Sequence, residues 1–357
     1  MSTTNVKKLC EKVKASKVSV IVSAFAVLLI ITVISVSLGA GSPRFIEATQ
    51  VILSKIFPFL GINPGSQITQ RIILYIRLPR IILAIIAGAG LAASGAAMQG
   101  VLRNPLVSPY ILGISSGGAF GAALAIVLGI GVVIQYEKYI VVANAFIFSM
   151  LAMLMVYGVA RLRGITPESV ILAGVAVGYL FSAMLSLIQY LAPEYAAVYA
   201  VVFWLLGGLY KANWDSILII LPLVLVAIAF MMRHSWDMNV MSLGDEVALS
   251  LGVDSQRVLV ICMVLGSLAT ASIISFTGII GFICLVSPHI ARMIIGSDHR
   301  FLIPCSSILG ACLLLCSDTL ARLVLMPSEV PVGIVTSLIG VPFFLYLLLS
   351  RRRLFWH

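Results

Sequence analysis

The sequence predicts an all-α, polytopic membrane protein with about ten transmembrane helices, and three observations carry that prediction. Of 357 residues, 61 % are hydrophobic and only 10 % are charged, against roughly 25 % charged in soluble domains. A mean hydropathy of +1.14 leaves too few polar side chains to cover a water-facing surface, so most residues must face each other or lipid. The apolar residues also fall in runs of about 20, the length a helix needs to cross a hydrocarbon core. Disorder, collagen-like repeats and a disulfide scaffold are excluded by the same composition.

Taken in order, residues 1–17 carry Lys7, Lys8, Lys12, Lys14 and Lys17 and read as a cytoplasmic flank. The uncharged run 18–38 that follows is longer than the roughly 7–15 residues of a signal-peptide core, so a first span is preferred. Cleavage near Gly39, Ala40 and Gly41 is the alternative. Further runs near 71–98, 115–133, 139–160, 168–191, 213–232, 257–277, 281–295, 302–323 and 331–350 bring the total to ten. The run 281–295 is short and holds Pro288 and His289, and 197–209 is half a span; either reads as re-entrant or interfacial. With the N-terminus inside and ten crossings, fifteen of the 23 Lys and Arg residues lie on inside flanks. The other eight, Arg44, Lys55, Arg71, Arg77, Arg80, Lys138, Lys211 and Arg322, lie outside. A bias of this sign places both termini in the cytoplasm of a multi-pass protein in the cell membrane.

The string LVSP occurs at Leu106–Pro109 and again at Leu285–Pro288. The associated spans, 71–98 and 257–277, run in opposite directions in this arrangement, which suggests an inverted internal repeat. Small residues at spacings of four, among them Gly88, Gly90, Ser94, Gly95, Gly117, Gly121, Gly174 and Gly178, predict closely packed helices. The six cysteines contain no CxxC pair and read as small buried hydrophobes.

Few residues could carry chemistry. The histidines, His234, His289, His299 and His357, form no metal motif, so no catalytic or metal cluster is expected. No basic run is interleaved with aromatics for stacking on bases, which excludes nucleic-acid binding. No GxxxxGK[ST] loop is present, so any ATP hydrolysis belongs to another polypeptide. Asp318 is the one acid well inside a span. It stands four residues before Arg322, a spacing that faces the two along one side of a helix; a local ion pair is expected and a coupling-ion site is the alternative. The segment 238–256 (MNVMSLGDEVALSLGVDSQ) is polar enough to leave the bilayer and predicts two short helices broken at Gly244, with a second break at Gly252. Asp245 and Glu246 would stand in the first turn of the second short helix, where carboxylates meet the positive dipole end.

These residues resemble the permease subunits of binding-protein-dependent ABC importers for iron–siderophore, haem and vitamin B12, including the B12 permease of the type II importer fold. The resemblance runs from about residue 70 to 350. It rests on RLPR at 77–80, GAGLAASGAAMQ at 88–99, RNPLVSPYILGISSGG at 103–118, LAGVAVG at 172–178, LGDEVALSLGV at 243–253, GFICLVSPHIAR at 281–292, DHR at 298–300, DTLAR at 318–322 and EVPVGIVTSLIG at 329–340.

The resemblance implies a single transmembrane permease domain over 1–357. It implies that Leu243, Gly244, Asp245, Glu246, Leu251 and Gly252, in the cytoplasmic coupling helices at 238–256, dock on the ATPase. It further implies that Arg77, Arg80 and Arg322 face the outside and pair with glutamates of the substrate-binding protein, and that Asn104, Leu106 and Thr166 lie near a cytoplasmic gate. Around Thr166 this sequence departs from the B12 permease, having Pro167–Glu168 where a Ser/Thr/Arg run is expected. Two copies of the chain would form a pore largely from 168–191, served by two cytoplasmic ATPase subunits and one extracytoplasmic binding protein, with no cofactor of its own and ATP bound by its partner. The expected cargo is a metal chelate or corrinoid imported by alternating access; an ion-coupled secondary transporter and an importer of a small anion such as an oxyanion are the alternatives.

Overall fold

The computed structural model describes residues 3–39, 45–61, 63, 65–129 and 139–350. The expectations for Ala40, Gly41, Arg44, Lys138 and Arg351 to Arg353 lie outside the described residues. Within them every regular element is helical.

The first span is α1 (Thr3–Ser37), followed by α2 (Phe45–Ile56) and α3 (Gln67–Arg71). A π-helical stretch, Ile72–Arg77, joins α3 to α4 (Leu78–Val101) as one long rod. Then come α5 (Ile114–Leu128), α6 (Ile140–Leu162), α7 (Pro167–Tyr190), α8 (Tyr195–Leu205) and α9 (Trp214–Arg233). The short pair α10 (Ser235–Met241) and α11 (Asp245–Ser250) precedes α12 (Ser255–Thr277), α13 (Ile283–Ile295), α14 (His299–Leu323) and α15 (Val332–Ser350). Among the described residues seven helices are long and apolar enough to cross a membrane. The expected runs at 115–133, 281–295 and 331–350 become the shorter apolar segments, and 197–209 becomes the half-length α8. Helix α2, in a stretch assigned to no span from the sequence, is the unforeseen element.

Polar caps fix where the long helices start. Thr166 caps α7 reciprocally with Ser169, Asn213 caps α9, Asp254 caps α12 and Asp298 caps α14. Each satisfies backbone N–H groups that have no partner inside the helix.

Helix α4 is the hub, because small residues on all its faces let neighbouring backbones come close. A Cβ on Gly88 would stand 2.4 Å from the Gly310 carbonyl oxygen of α14, and one on Gly95 only 1.9 Å from the Cys284 carbonyl oxygen of α13. Gly90 faces Ile273 and Gly266 faces Met98, so α12 runs antiparallel to α4, the relation expected of those two spans. The two LVSP strings differ locally. The first leads into a 3-10 turn at Pro109–Leu112, while the second lies inside α13.

Contacts along α14 set the directions of its neighbours. Gly100 meets His299 and Arg80 meets Asp318, so α4 is antiparallel to α14. Lys17 lies over the Phe301 ring and Ser35 bonds Thr319, so α1 runs parallel to α14. The bundle therefore has two ends, one with Arg77, Arg80 and Arg322 and the other with Arg103 and the α10–α11 pair. At 1.5 Å per residue, Arg80 and Arg103 stand about 35 Å apart, a little more than a hydrocarbon core.

Gly95→Val is expected to force α13 off α4 and cost about 1–3 kcal/mol, as overpacking does. Thermal unfolding in detergent measures it; an unchanged Tm would contradict this close approach.

Candidate functional site

At the Arg103 end, the break expected at Gly244 separates α10 from α11. Gly244 has φ +111° and ψ 157°, a conformation glycine adopts without strain, and Gly252, at φ +81°, turns the chain into α12. Buried Met238 and Met241 anchor α10. The outer surface of the hairpin is apolar and acidic at once: Leu243, Leu249 and Leu251 are 65 %, 72 % and 62 % exposed beside exposed Asp245 and Glu246. Asp245 accepts a hydrogen bond from Arg103 Nη2, and that bond holds its carboxyl below the ordinary carboxylate range. Arg103 reaches it from a tight turn at the end of α4, with φ of 49°.

The expected gate residues lie at this same end. A cleft of about 520 Å³ opens between Arg103, Thr166, Glu168, Asp245 and Asp254. Asn104 lines an adjoining space with Pro167 and Glu168. The Thr166 hydroxyl is committed to its cap, accepting from Ser169 N–H at 3.2 Å, and Asn104 Oδ1 accepts from Leu106 N–H at 3.0 Å. Leu106 itself is half exposed.

One polar joint escaped the sequence reading. Asn239 of α10 donates from Nδ2 to Asp298 Oδ1 at 2.7 Å, and its Oδ1 accepts from the His299 backbone N–H and faces His299 Nδ1, both at 2.8 Å. Arg300 forks onto the Asp298 carboxylate and stacks over Trp236 of α10, 4.9 Å from the ring centre. Burial pushes the Asp298 carboxyl up, but the bonds from Arg300 and Asn239 outweigh it and hold it at about 2.

At the opposite end the three arginines expected to face the outside lie just beneath the surface. Arg77, Arg80 and Arg322 do not stand open to an outside partner; they are 4 %, 7 % and 5 % exposed. Arg80 Nε donates to Asp318 Oδ1 at 2.9 Å, and Arg80 Nη1 reaches Glu329 Oε2 at 2.6 Å. Arg322 Nε lies 3.1 Å from Asp318 Oδ2, so the expected pair on α14 is present. Its other nitrogens donate to Ser35 Oγ at 2.8 Å and the Leu38 carbonyl at 3.0 Å, while Arg77 Nη1 donates to the Val36 carbonyl at 2.6 Å. For Arg80 and Arg322 the cause is Asp318, which is fully buried and so needs cations around it. The end of α1 covers Arg77 and Arg322. Among the described residues no group of three His, Cys, Asp or Glu side chains could hold a metal ion.

Comparison with known proteins agrees with this architecture. The FecCD transport family matches residues 27–350. The Fe(3+)-citrate import system permease of Bacillus subtilis (strain 168) is 37 % identical over 348 residues, which is 97 % of this chain and 99 % of that protein. The cobalamin import system permease of Halobacterium salinarum is 38 % identical over 331 residues, covering 90 % and 87 %. The molybdate import system permease of Haemophilus influenzae is 35 % identical over 334 residues, covering 93 % and 96 %. A solved structure described as an inward-facing conformation of a metal-chelate type ABC transporter aligns with a TM-score of 0.81 at 31 % identity, over 93 % of this chain and 99 % of that one. A chain that is nearly all helix, with an exposed hairpin at one end and a buried ion cluster at the other, belongs to the FecCD transport family. It is an ABC importer permease rather than an enzyme, of a family that works with ATPase and binding-protein partners.

Asp318→Ala is expected to strand buried Arg80 and Arg322 at a cost of about 3–5 kcal/mol. Glu329→Gln, at a side chain 43 % exposed, should cost less than about 1 kcal/mol. Unfolding temperatures of the two variants measure the difference, and equal losses would contradict the central place of Asp318.

Proposed function

We propose that this permease imports a metal chelate or corrinoid by alternating access, as a homodimer bound to two ATPase subunits, with the α10–α11 end in the cytoplasm. The observation that carries the reading is the hairpin itself. Leucines exposed beside carboxylates, at the end of a bundle whose remaining exposed apolar surface suits lipid, form a docking patch for another protein. Leu243, Gly244, Asp245, Glu246, Leu251 and Gly252 would receive the displacement produced when the ATPase dimer closes. Asn104, Leu106 and Thr166, around the neighbouring cleft, would sit where the pathway opens to the cytoplasm. The extracytoplasmic binding protein would meet the opposite end, where Arg77, Arg80 and Arg322 act from beneath the surface and Glu329 stands half exposed at it.

The homodimer is supported by the exposed face of α7. The exposed faces of α6 and α9 are apolar, with Leu151, Leu154 and Val159 on one and Leu218, Leu225 and Phe230 on the other, as lipid requires. The exposed stripe of α7 instead mixes Leu172, Val175, Leu180 and Leu187 with Glu168, Tyr179, Ser182, Ser186 and Tyr190. Two tyrosines and two serines make this face more polar than those of α6 and α9, as a pathway or a second helix allows, with Ser186 Oγ donating to the Ser182 carbonyl. Beyond Glu168 this stripe carries no charge, which suits a bulky chelate that must be released as readily as it enters. The molybdate permease among the relatives keeps an oxyanion as the second reading, and mass spectrometry of the ligand carried by the cognate binding protein separates the two.

Gly244→Val would place a β-branched residue in a conformation that costs about 1–3 kcal/mol. ATP hydrolysis by the assembled complex should persist while binding-protein-dependent uptake falls; a normal ratio of uptake to hydrolysis would refute the coupling role.

A further inference from the structure

Besides buried Met238, Met241 and Ala248, two unlike polar fastenings hold the α10–α11 hairpin to the bundle. On α11 the fastening is the water-exposed Arg103–Asp245 pair, whose side chains are 30 % and 60 % exposed. On α10 it is the Asn239 amide, which closes three short contacts to Asp298 and His299 at the first turn of α14, reinforced by Arg300 over Trp236. Exposed ion pairs hold weakly, whereas a partly buried hydrogen bond to a carboxylate, such as that from Asn239 to Asp298, holds more strongly. The joint also has no slack behind it. His299 is buried against α4, where a Cβ added at Gly100 would meet His299 Nε2 at 2.4 Å.

What the joint holds is a helix that crosses the whole bundle. From Asp298 to Asp318, α14 spans about 30 Å at 1.5 Å per residue. It ends in the cluster where Asp318 and Arg322 meet Arg80 and the end of α1. Packed elements with few discrete arrangements pass displacement on rather than absorbing it.

We propose that Asn239 is a positioning residue for transport: with Asp298 it forms the joint through which movement of the hairpin reaches α14, and through α14 the ion cluster at the far end. This rests on the reading that the hairpin receives the ATP-driven motion. Neither Asn239 nor Asp298 belongs to the exposed leucine patch, so docking and transmission are separable.

The test uses the assembled permease–ATPase complex with Leu325→Cys as reporter. Leu325 is 60 % exposed just beyond α14. The described native cysteines are buried or half-buried, and Cys10→Ser removes the remaining one. A maleimide reports access at position 325 with and without a non-hydrolysable ATP analogue. In the otherwise unaltered complex the analogue should change the labelling rate about fivefold or more, a size typical of coupled sites. Asn239→Asp sets two carboxylates against each other and removes the donor; ATPase subunits should still co-purify, but the change at position 325 should fall below about twofold. The exchange Asn239→Asp with Asp298→Asn restores an amide–carboxylate pair of reversed direction and should bring the response back, which a merely destabilising change would not. An unaltered response in Asn239→Asp, an exchange variant no better than the single one, or no nucleotide response in the parent complex would each overturn the proposal. Failure of ATPase subunits to co-purify with the parent chain would instead overturn the docking reading beneath it.

Discussion

A single carboxylate buried inside the protein at one end of the bundle constrains most of this architecture. Asp318 has no exposed surface, and an isolated charge there would cost several kcal/mol. Its neutralisation needs Arg322 one turn along its own helix and Arg80 from α4. Once those guanidiniums are fixed, α14 and α4 must lie antiparallel and in register, and the Gly88–Gly310 approach along their length becomes possible. The remaining donors of Arg322 and those of Arg77 then call in the end of α1, through Ser35, Leu38 and Val36. One ion cluster thus aligns three helices distant in sequence.

The asymmetry between the two ends is what turns a helical bundle into a machine part. At the cluster end Asp318 and the three arginines are satisfied internally and covered, with Glu329 alone of that cluster reaching the surface. At the hairpin end apolar and acidic side chains stand exposed together, Asp245 paired with Arg103, a composition that suits contact with another protein. Between them lies α4, with small residues on every face, a helix that can be close-packed by α12, α13 and α14 together because little side-chain volume intervenes. A dense centre with unlike ends couples events on one side of a membrane to the other better than a loose bundle would.

Much of this was legible in the sequence because it depends on local spacing. Helix positions followed from run lengths, the Gly244 break from one glycine before two acids, and the Asp318–Arg322 pair from a spacing of four. The Arg80 contacts to Asp318 and Glu329 were not legible, since the partners lie 238 and 249 residues away. That the arginines face an outside partner was an implication of the resemblance; sequence position gives depth along a helix, not what lies over it. Asn239 escaped for a similar reason. An asparagine in a polar loop carries no sign of its partner until the first turn of α14 is brought beside it.

The account stands on the hairpin and the ion cluster lying on opposite sides of the membrane, with the hairpin inside. The most direct measurement is labelling by a membrane-impermeant thiol reagent in intact cells, with Ser328→Cys near the cluster and Leu249→Cys on the hairpin. Modification at position 328 in intact cells, and at position 249 only after the membrane is opened, is the expected result. Labelling of both positions from outside, or of position 249 alone, would contradict it.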